Sequence, residues 1–284
     1  MGYALEAFMD HLMQEEYTEN TLSKYRRDLS RSLEYQGDQP MTKELVIRYK
    51  KSLLLHYRAA SVNSMLAAVN HYLEYAGYSA CKVHTVRIQK KIYTEDDRIL
   101  TRKEYARLLQ SCSDPRTQLI METLCSTGIR VSELHYITVE NYRKKMIKVY
   151  NKGKERVVFL PDRLIAYLRR YIKKRKITSG EIFISRTGKR LDRTAIWRMM
   201  KRLCAKAGVD QKKVFPHNLR HLFATTYYRM KKDISKLADL LGHSSIETTR
   251  IYILESSRSH YQDLENMHLA VSYTHLTLPT KLEV

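Results

Sequence analysis

The chain has no apolar run long enough to span a bilayer, and its N-terminus shows no secretory pattern. A cytoplasmic protein without a membrane partner is therefore expected. Four widely spaced cysteines (Cys81, Cys112, Cys125 and Cys204) form no C-x-x-C pair, which argues against a disulfide framework or zinc site and for reduced thiols. A Walker A loop is missing too. Thr187-Gly188-Lys189-Arg190 lacks both the leading glycine and the hydroxyl after lysine. Nor is there a paired or triple carboxylate cluster of the kind that two-metal nucleases need, so neither a metal nor another cofactor is expected. Internal repeats are absent.

Acidic side chains are in deficit: 30 Asp and Glu against 51 Lys and Arg give a net charge of +21. Such an excess favours polyanions, because each phosphate neutralised releases condensed counterions. The basic residues are spread along the chain rather than gathered on one amphipathic segment, which favours nucleic acid over a membrane surface. With 284 residues, 43% of them hydrophobic, the chain can build two domains with real cores.

Apolar periodicity predicts a mainly α fold with a small antiparallel β-sheet. In the first part, Leu5, Phe8, Met9 and Leu12 share one helical face. Thr18 is expected to cap a second helix carrying Leu22, Tyr25, Leu29 and Leu33, Thr42 a third, and Ser61 a fourth with Val62, Met65, Leu66, Val69 and Leu73. These helices make an N-terminal domain over 1–80, followed by a linker over 81–100 that has little periodicity. The second domain, 101–268, opens with the capping box Thr101-x-x-Glu104. Asp114-Pro115 starts a helix that stops at Gly128. Met146–Tyr150 and Arg156–Leu160 read as a hairpin with Lys152 near its tip, and Glu181–Ser185 as a candidate third strand. Helices follow from Asp192 to Gly208, after Pro216, and over Asp233–Leu241. A last helix, started by a Ser244-x-x-Glu247 capping box, carries Tyr252.

Taken singly, Arg130, Lys152, His217, Arg220, His243 and Tyr252 are weak signals: a surface cation, a solvated hairpin lysine, one tyrosine of 21. Together they suit attack on a phosphodiester. Guanidinium groups bind the nonbridging oxygens bidentately and stay charged at any cellular pH. Histidine can donate to a phosphoryl oxygen or move a proton near neutrality. A lysine on a turn can protonate the departing 5′ oxygen, and a tyrosine can attack and store the bond as a phosphoester. Protein cations can take the place of Mg²⁺ in such a site.

These residues lie in T-G-I-R-V-S-E-L around Arg130, N-K-G-K-E-R around Lys152, H-N-L-R-H at 217–221 and L-L-G-H-S-S-I-E-T-T-R-I-Y at 240–252. The set resembles the tyrosine recombinase (phage integrase) family over about residues 3–268. The resemblance implies a core-binding, SAM-like domain over 1–80 and a catalytic domain over 101–268. It implies Tyr252 as nucleophile, Arg130 and Arg220 on the scissile phosphate with His243 assisting, Lys152 as general acid and His217 in proton transfer. Glu133 and His221 would support them from behind. It further implies double-stranded DNA as substrate, a tetramer on paired sites formed with itself or with a partner recombinase, and a Holliday junction intermediate. The chain resembles two-domain members, whether Xer-type resolvases or integrases of mobile elements, and association with a bacterial nucleoid follows. Two alternatives remain: a type IB topoisomerase-like activity, and a catalytically silent DNA-binding protein of the same fold.

The segment Val271–Thr280 has no helical period and resembles a translated transposon-end sequencing adapter. Residues 270–284 are therefore expected to be a non-native tail, with the natural C-terminus missing.

Overall fold

The computed structural model describes residues 2–88, 98–151, 153–185, 187–253 and 264–267. They form two compact units, the first ending at residue 90 and the second beginning at 91. The expected tail over 270–284 lies outside the described residues.

The first unit contains α1 (Gly2–Gln14), α2 (Glu19–Gln36), α3 (Lys43–His56) and α4 (Ala59–Tyr75). The predicted faces form its core, with Phe8, Leu12, Leu66 and Leu73 shut off from solvent. Thr42 caps α3 by accepting from the Leu45 amide at 3.2 Å. Thr18 stands at the start of α2 but makes no cap bond; its hydroxyl pairs with that of Thr21 instead. Ser61 does not cap α4. That helix starts three residues earlier, with Arg58 at the cap position, because Ala59 and Ala60 are strong helix formers. Two asparagines of α4, seven residues apart, act as surrogate strand partners for the segment beyond the helix. Asn70 bonds both the N–H and the C=O of Val83, at 3.0 and 2.8 Å, and Asn63 does the same for Val86 at 2.7 and 2.8 Å. This part of the expected linker is thereby fastened to the first unit, with Val83 buried. Residues 89–97 lie outside the described residues.

The second unit begins with α5 (Arg102–Gln110), whose reciprocal Thr101–Glu104 box forms as expected, and α6 (Pro115–Thr127), capped by Asp114. A 3-10 turn (Val131–Tyr136) leads to β1 (Met146–Asn151) and β2 (Lys154–Phe159). The strands pair antiparallel from Met146 opposite Phe159 to Asn151 opposite Lys154, a tighter hairpin than the five-residue connection expected. Ile147, Val149 and Val158 point into the core. Then follow α7 (Asp162–Arg175), α8 (Arg193–Lys201), α9 (Cys204–Ala207), α10 (Pro216–Lys231), α11 (Ile234–Leu241) and α12 (Ile246–Ile253).

Three local expectations are corrected. Glu181–Ser185 is not a strand. Glu181 bridges to Thr138 and Ile184 to Arg190, so the segment changes partner within three residues and no ladder can propagate. The run from Asp192 to Gly208 is broken after Lys201, where the Leu203 amide turns to Met200 three residues back. Ser245 rather than Ser244 stands before α12, accepting from the Glu247 amide at 3.2 Å. Among the described residues, no helix is long and apolar enough to cross a membrane.

Candidate active site

The site is assembled from four parts of the second unit: two helix stops, one helix start and the last helix. Gly128, at φ +63°, ends α6 in the left-handed conformation, and a Cβ there would meet Phe223 Cδ1 of α10 at 2.5 Å. This close approach sets Arg130, two residues on, beside the N-terminal half of α10. Pro216 opens α10, so His217, Arg220 and His221 project from its first turns. Gly242, also left-handed, ends α11 and turns His243 inward. Finally α12 delivers Tyr252.

Arg220 is 2% exposed, and among the described residues none of its hydrogen bonds goes to a carboxylate. Its guanidinium donates instead to the Gly128 carbonyl, to the Leu241 carbonyl at 2.6 Å and to His243 Nε2 at 3.0 Å. Both carbonyls lie at helix C-termini, the negative ends of the helix dipoles. The cation is thus solvated by dipoles rather than neutralised. Burial, then Arg130, lowers its pKa to about 10, which leaves it charged at neutrality.

Arg130 is more open. Its Nη1 donates to Glu133 Oε1 at 2.9 Å and its Nη2 to the Gly242 carbonyl at 3.3 Å. Glu133 is buried, and its Oε2 accepts from the Arg130 amide at 3.0 Å and from Arg156 at 2.5 Å. Three guanidiniums and one carboxylate therefore meet here, a positive site built for an anion.

Tyr252 is 5% exposed, and its ring is bordered by three imidazoles: His217, His221 and His243, with centroids 5.4, 5.5 and 5.5 Å away. Its hydroxyl lies 3.3 Å from His217 Nε2. Because Arg220 can only donate, His243 Nε2 must accept, and its Nδ1–H then donates to Thr249 Oγ1 at 2.8 Å. The low proton affinity of this ring agrees, burial and then Arg220 and Arg130 bringing its pKa to about 4. His217 is shifted downward as well, by burial first and then by Arg220.

The expected residues Arg130, Glu133, His217, Arg220, His221, His243 and Tyr252 are thus brought together, whereas Lys152 lies outside the described residues. Two further residues join them. Thr249, fully buried, orients His243; its spacing three before Tyr252 on a helix was the available signal. Arg156 reaches Glu133 from β2. Its alternation with the inward Val158 marked it as core-facing despite its charge.

The buried imidazoles have a consequence for stability. His221 is pushed down to about 4, by burial and then by His217. Below its ordinary 6.5 the unfolded chain takes up a proton that the folded chain refuses, so stability is lost as pH falls from 6.5 towards 4. The expected slope for this ring is about 1.4 kcal/mol per pH unit. Melting curves between pH 7 and 4.5 should show it together with the like contributions of His243 and His217, and His221→Phe should remove its own share; an unchanged slope would contradict the burial of a neutral ring.

Comparison with known proteins finds relatives over most of the chain. Residues 98–258 match the model of the phage integrase family, and residues 5–77 that of the phage integrase N-terminal SAM-like domain. Tyrosine recombinase XerA of Pyrococcus furiosus is 30% identical over 276 residues, which cover 93% of this chain and 94% of the relative. Tyrosine recombinase XerD of Vibrio cholerae is 30% identical over 273 residues, covering 87% and 90%. The fold is shared with a lambda integrase tetramer bound to a Holliday junction, at a TM-score of 0.70 and 18% identity over 88% of this chain and 76% of that one. The chain belongs to the phage integrase family of tyrosine recombinases, enzymes of DNA cleavage and strand transfer.

Proposed function

We propose that Tyr252 cuts and rejoins duplex DNA through a covalent 3′-phosphotyrosine, without metal or ATP. The supporting observation is the Tyr252 hydroxyl at 3.3 Å from His217 Nε2, on a ring that also borders His243, the partner of Arg220. In this reading Tyr252 Oη attacks the phosphorus, the bond from phosphorus to the 5′ oxygen breaks, and the phenol proton passes to His217. Arg130 and Arg220 bind the nonbridging oxygens as their charge grows. His243 assists them by accepting from Arg220 at Nε2 and so fixing that guanidinium. Lys152 protonates the departing 5′ oxygen. Glu133 and His221 hold the set from behind. A free 5′ hydroxyl then attacks the phosphotyrosine and restores the backbone, one phosphoester having replaced another.

By extension from relatives, the protein acts on paired sites as a tetramer of itself or with a partner recombinase, through a Holliday junction, where the chromosome is held. The domain reading is residues 1–80 as a core-binding domain and 101–268 as the catalytic domain, in a resolvase or a mobile-element integrase.

Trapping tests the reading. A randomised pool of nicked duplexes, cleaved next to the nick, should leave a covalent adduct that survives EDTA and maps to Tyr252. An adduct on another residue, or none, would overturn it. A second expected result concerns Lys152→Ala. Cleavage should slow by about 10²–10⁴-fold, as for loss of a general acid. A 5′-thiolate leaving group, which needs no proton, should restore it; failure to restore would remove Lys152 from that role.

A further inference from the structure

We propose that Arg156 is a positioning residue for strand cleavage, holding Glu133 and the turn at Leu240–Gly242 so that Arg130 and His243 face the scissile phosphate. The inference rests on the reading of Tyr252 as nucleophile.

Arg156 lies on β2 opposite Val149, at an inward-facing position, with its side chain 9% exposed. An apolar residue would fill such a position at lower cost, since a buried cation loses its hydration. The environment does not make up the loss in full. Arg156 Nη2 pairs with Glu133 Oε2 and Nη1 donates to the Leu240 carbonyl at 3.1 Å, but Nε is buried without a partner. Its charge also weighs on neighbours of the same sign: Arg156 is among the groups that disfavour the charged forms of Arg220 and His243. A cation kept where it strains the free protein fits a site completed by an anionic substrate.

Two links carry its action. The first runs through Glu133, whose two oxygens are divided between Arg130 and Arg156. If Arg156 were lost, the buried carboxylate would lose that guanidinium and keep Arg130. It would then hold that side chain as a full ion pair and cancel its charge just as the phosphate gains charge. The second link runs through the turn after α11. Arg156 bonds the Leu240 carbonyl, and its stem lies so close to Gly242 that a Cβ there would be 2.1 Å from Arg156 Cδ. The same turn offers the Gly242 carbonyl to Arg130 and carries His243 to Arg220. One side chain on the strand that follows Lys152 thus braces three other members of the site.

The test is a double-mutant cycle, read as single-turnover adduct formation on a nicked duplex that wild-type protein captures from a randomised pool. Arg156→Met should slow cleavage on the order of 100-fold, the scale of an ångström-sized misplacement. Its affinity for the duplex should stay within about threefold, since one residue without a direct phosphate contact contributes little to binding. In a Glu133→Gln background the same change should cost no more than about tenfold, because no carboxylate is there to hold Arg130 as an ion pair. Equal losses in both backgrounds, a loss confined to binding, or no loss would each overturn the proposal. Should Arg156→Met fail to fold by circular dichroism, Arg156→Lys carries the same comparison, since an ammonium cannot bridge both acceptors as a fork does. Wild type and Tyr252→Phe run alongside. An adduct absent from the first or present in the second would sink the nucleophile reading itself, which separates that failure from one of Arg156.

Discussion

Tyr252→Phe should abolish the covalent adduct, by at least about 10⁴-fold in rate, the scale seen when a nucleophile is removed. The fold should be preserved. Tyr252 is buried among three imidazoles, whose contacts with the ring a phenylalanine keeps. The deletion removes the contact with His217 Nε2, at 3.3 Å a long hydrogen bond, so stability should change by about 1 kcal/mol or less. Duplex binding should persist too, because affinity comes from many phosphate contacts and one hydroxyl adds little. Gel-shift titration and denaturing electrophoresis of trapped complexes measure the two quantities. An adduct retained by the Phe variant would move the nucleophile elsewhere.

The second large effect is expected at Arg220. Arg220→Met should cut adduct formation by about 10²–10³-fold, as for loss of a preorganised donor to a transition-state oxygen. Its effect on stability is the balance of two opposed quantities. Removing a buried charge is favourable, yet the carbonyls of Gly128 and Leu241 would lose their donor. Orphaned buried acceptors cost about 1–3 kcal/mol each, so a net loss of a few kcal/mol is expected. Arg220→Lys should rescue neither property in full. An ammonium on a flexible stem cannot reach two carbonyls, an imidazole and a phosphate at once. Melting curves and single-turnover trapping give the two readouts, and a Lys variant with wild-type cleavage would contradict the need for a planar fork.

The amino-acid sequence by itself determined whatever depends on near neighbours. The box Thr101–Glu104, the cap Asp114, the left-handed stops at Gly128 and Gly242 and the existence of a hairpin after Met146, though not its tight turn, are all settled within a few residues, where backbone preference and hydrogen bonding decide. The motif residues themselves were legible for the same reason, each being a short string. Local signals failed where a segment had two nearby solutions. The start of α4 moved to Ala59, and Glu181–Ser185 found bridges instead of a ladder. Tertiary structure alone decided which cations would be paired. Arg130 reaches the carbonyl of Gly242 across 112 positions and Arg220 that of Gly128 across 92, separations at which no periodicity in the chain carries information. It also put Arg156 against Glu133 and Thr249 against His243. Burial makes such choices, because a charge or a hydroxyl taken out of water must bond whatever the packed helices bring within reach.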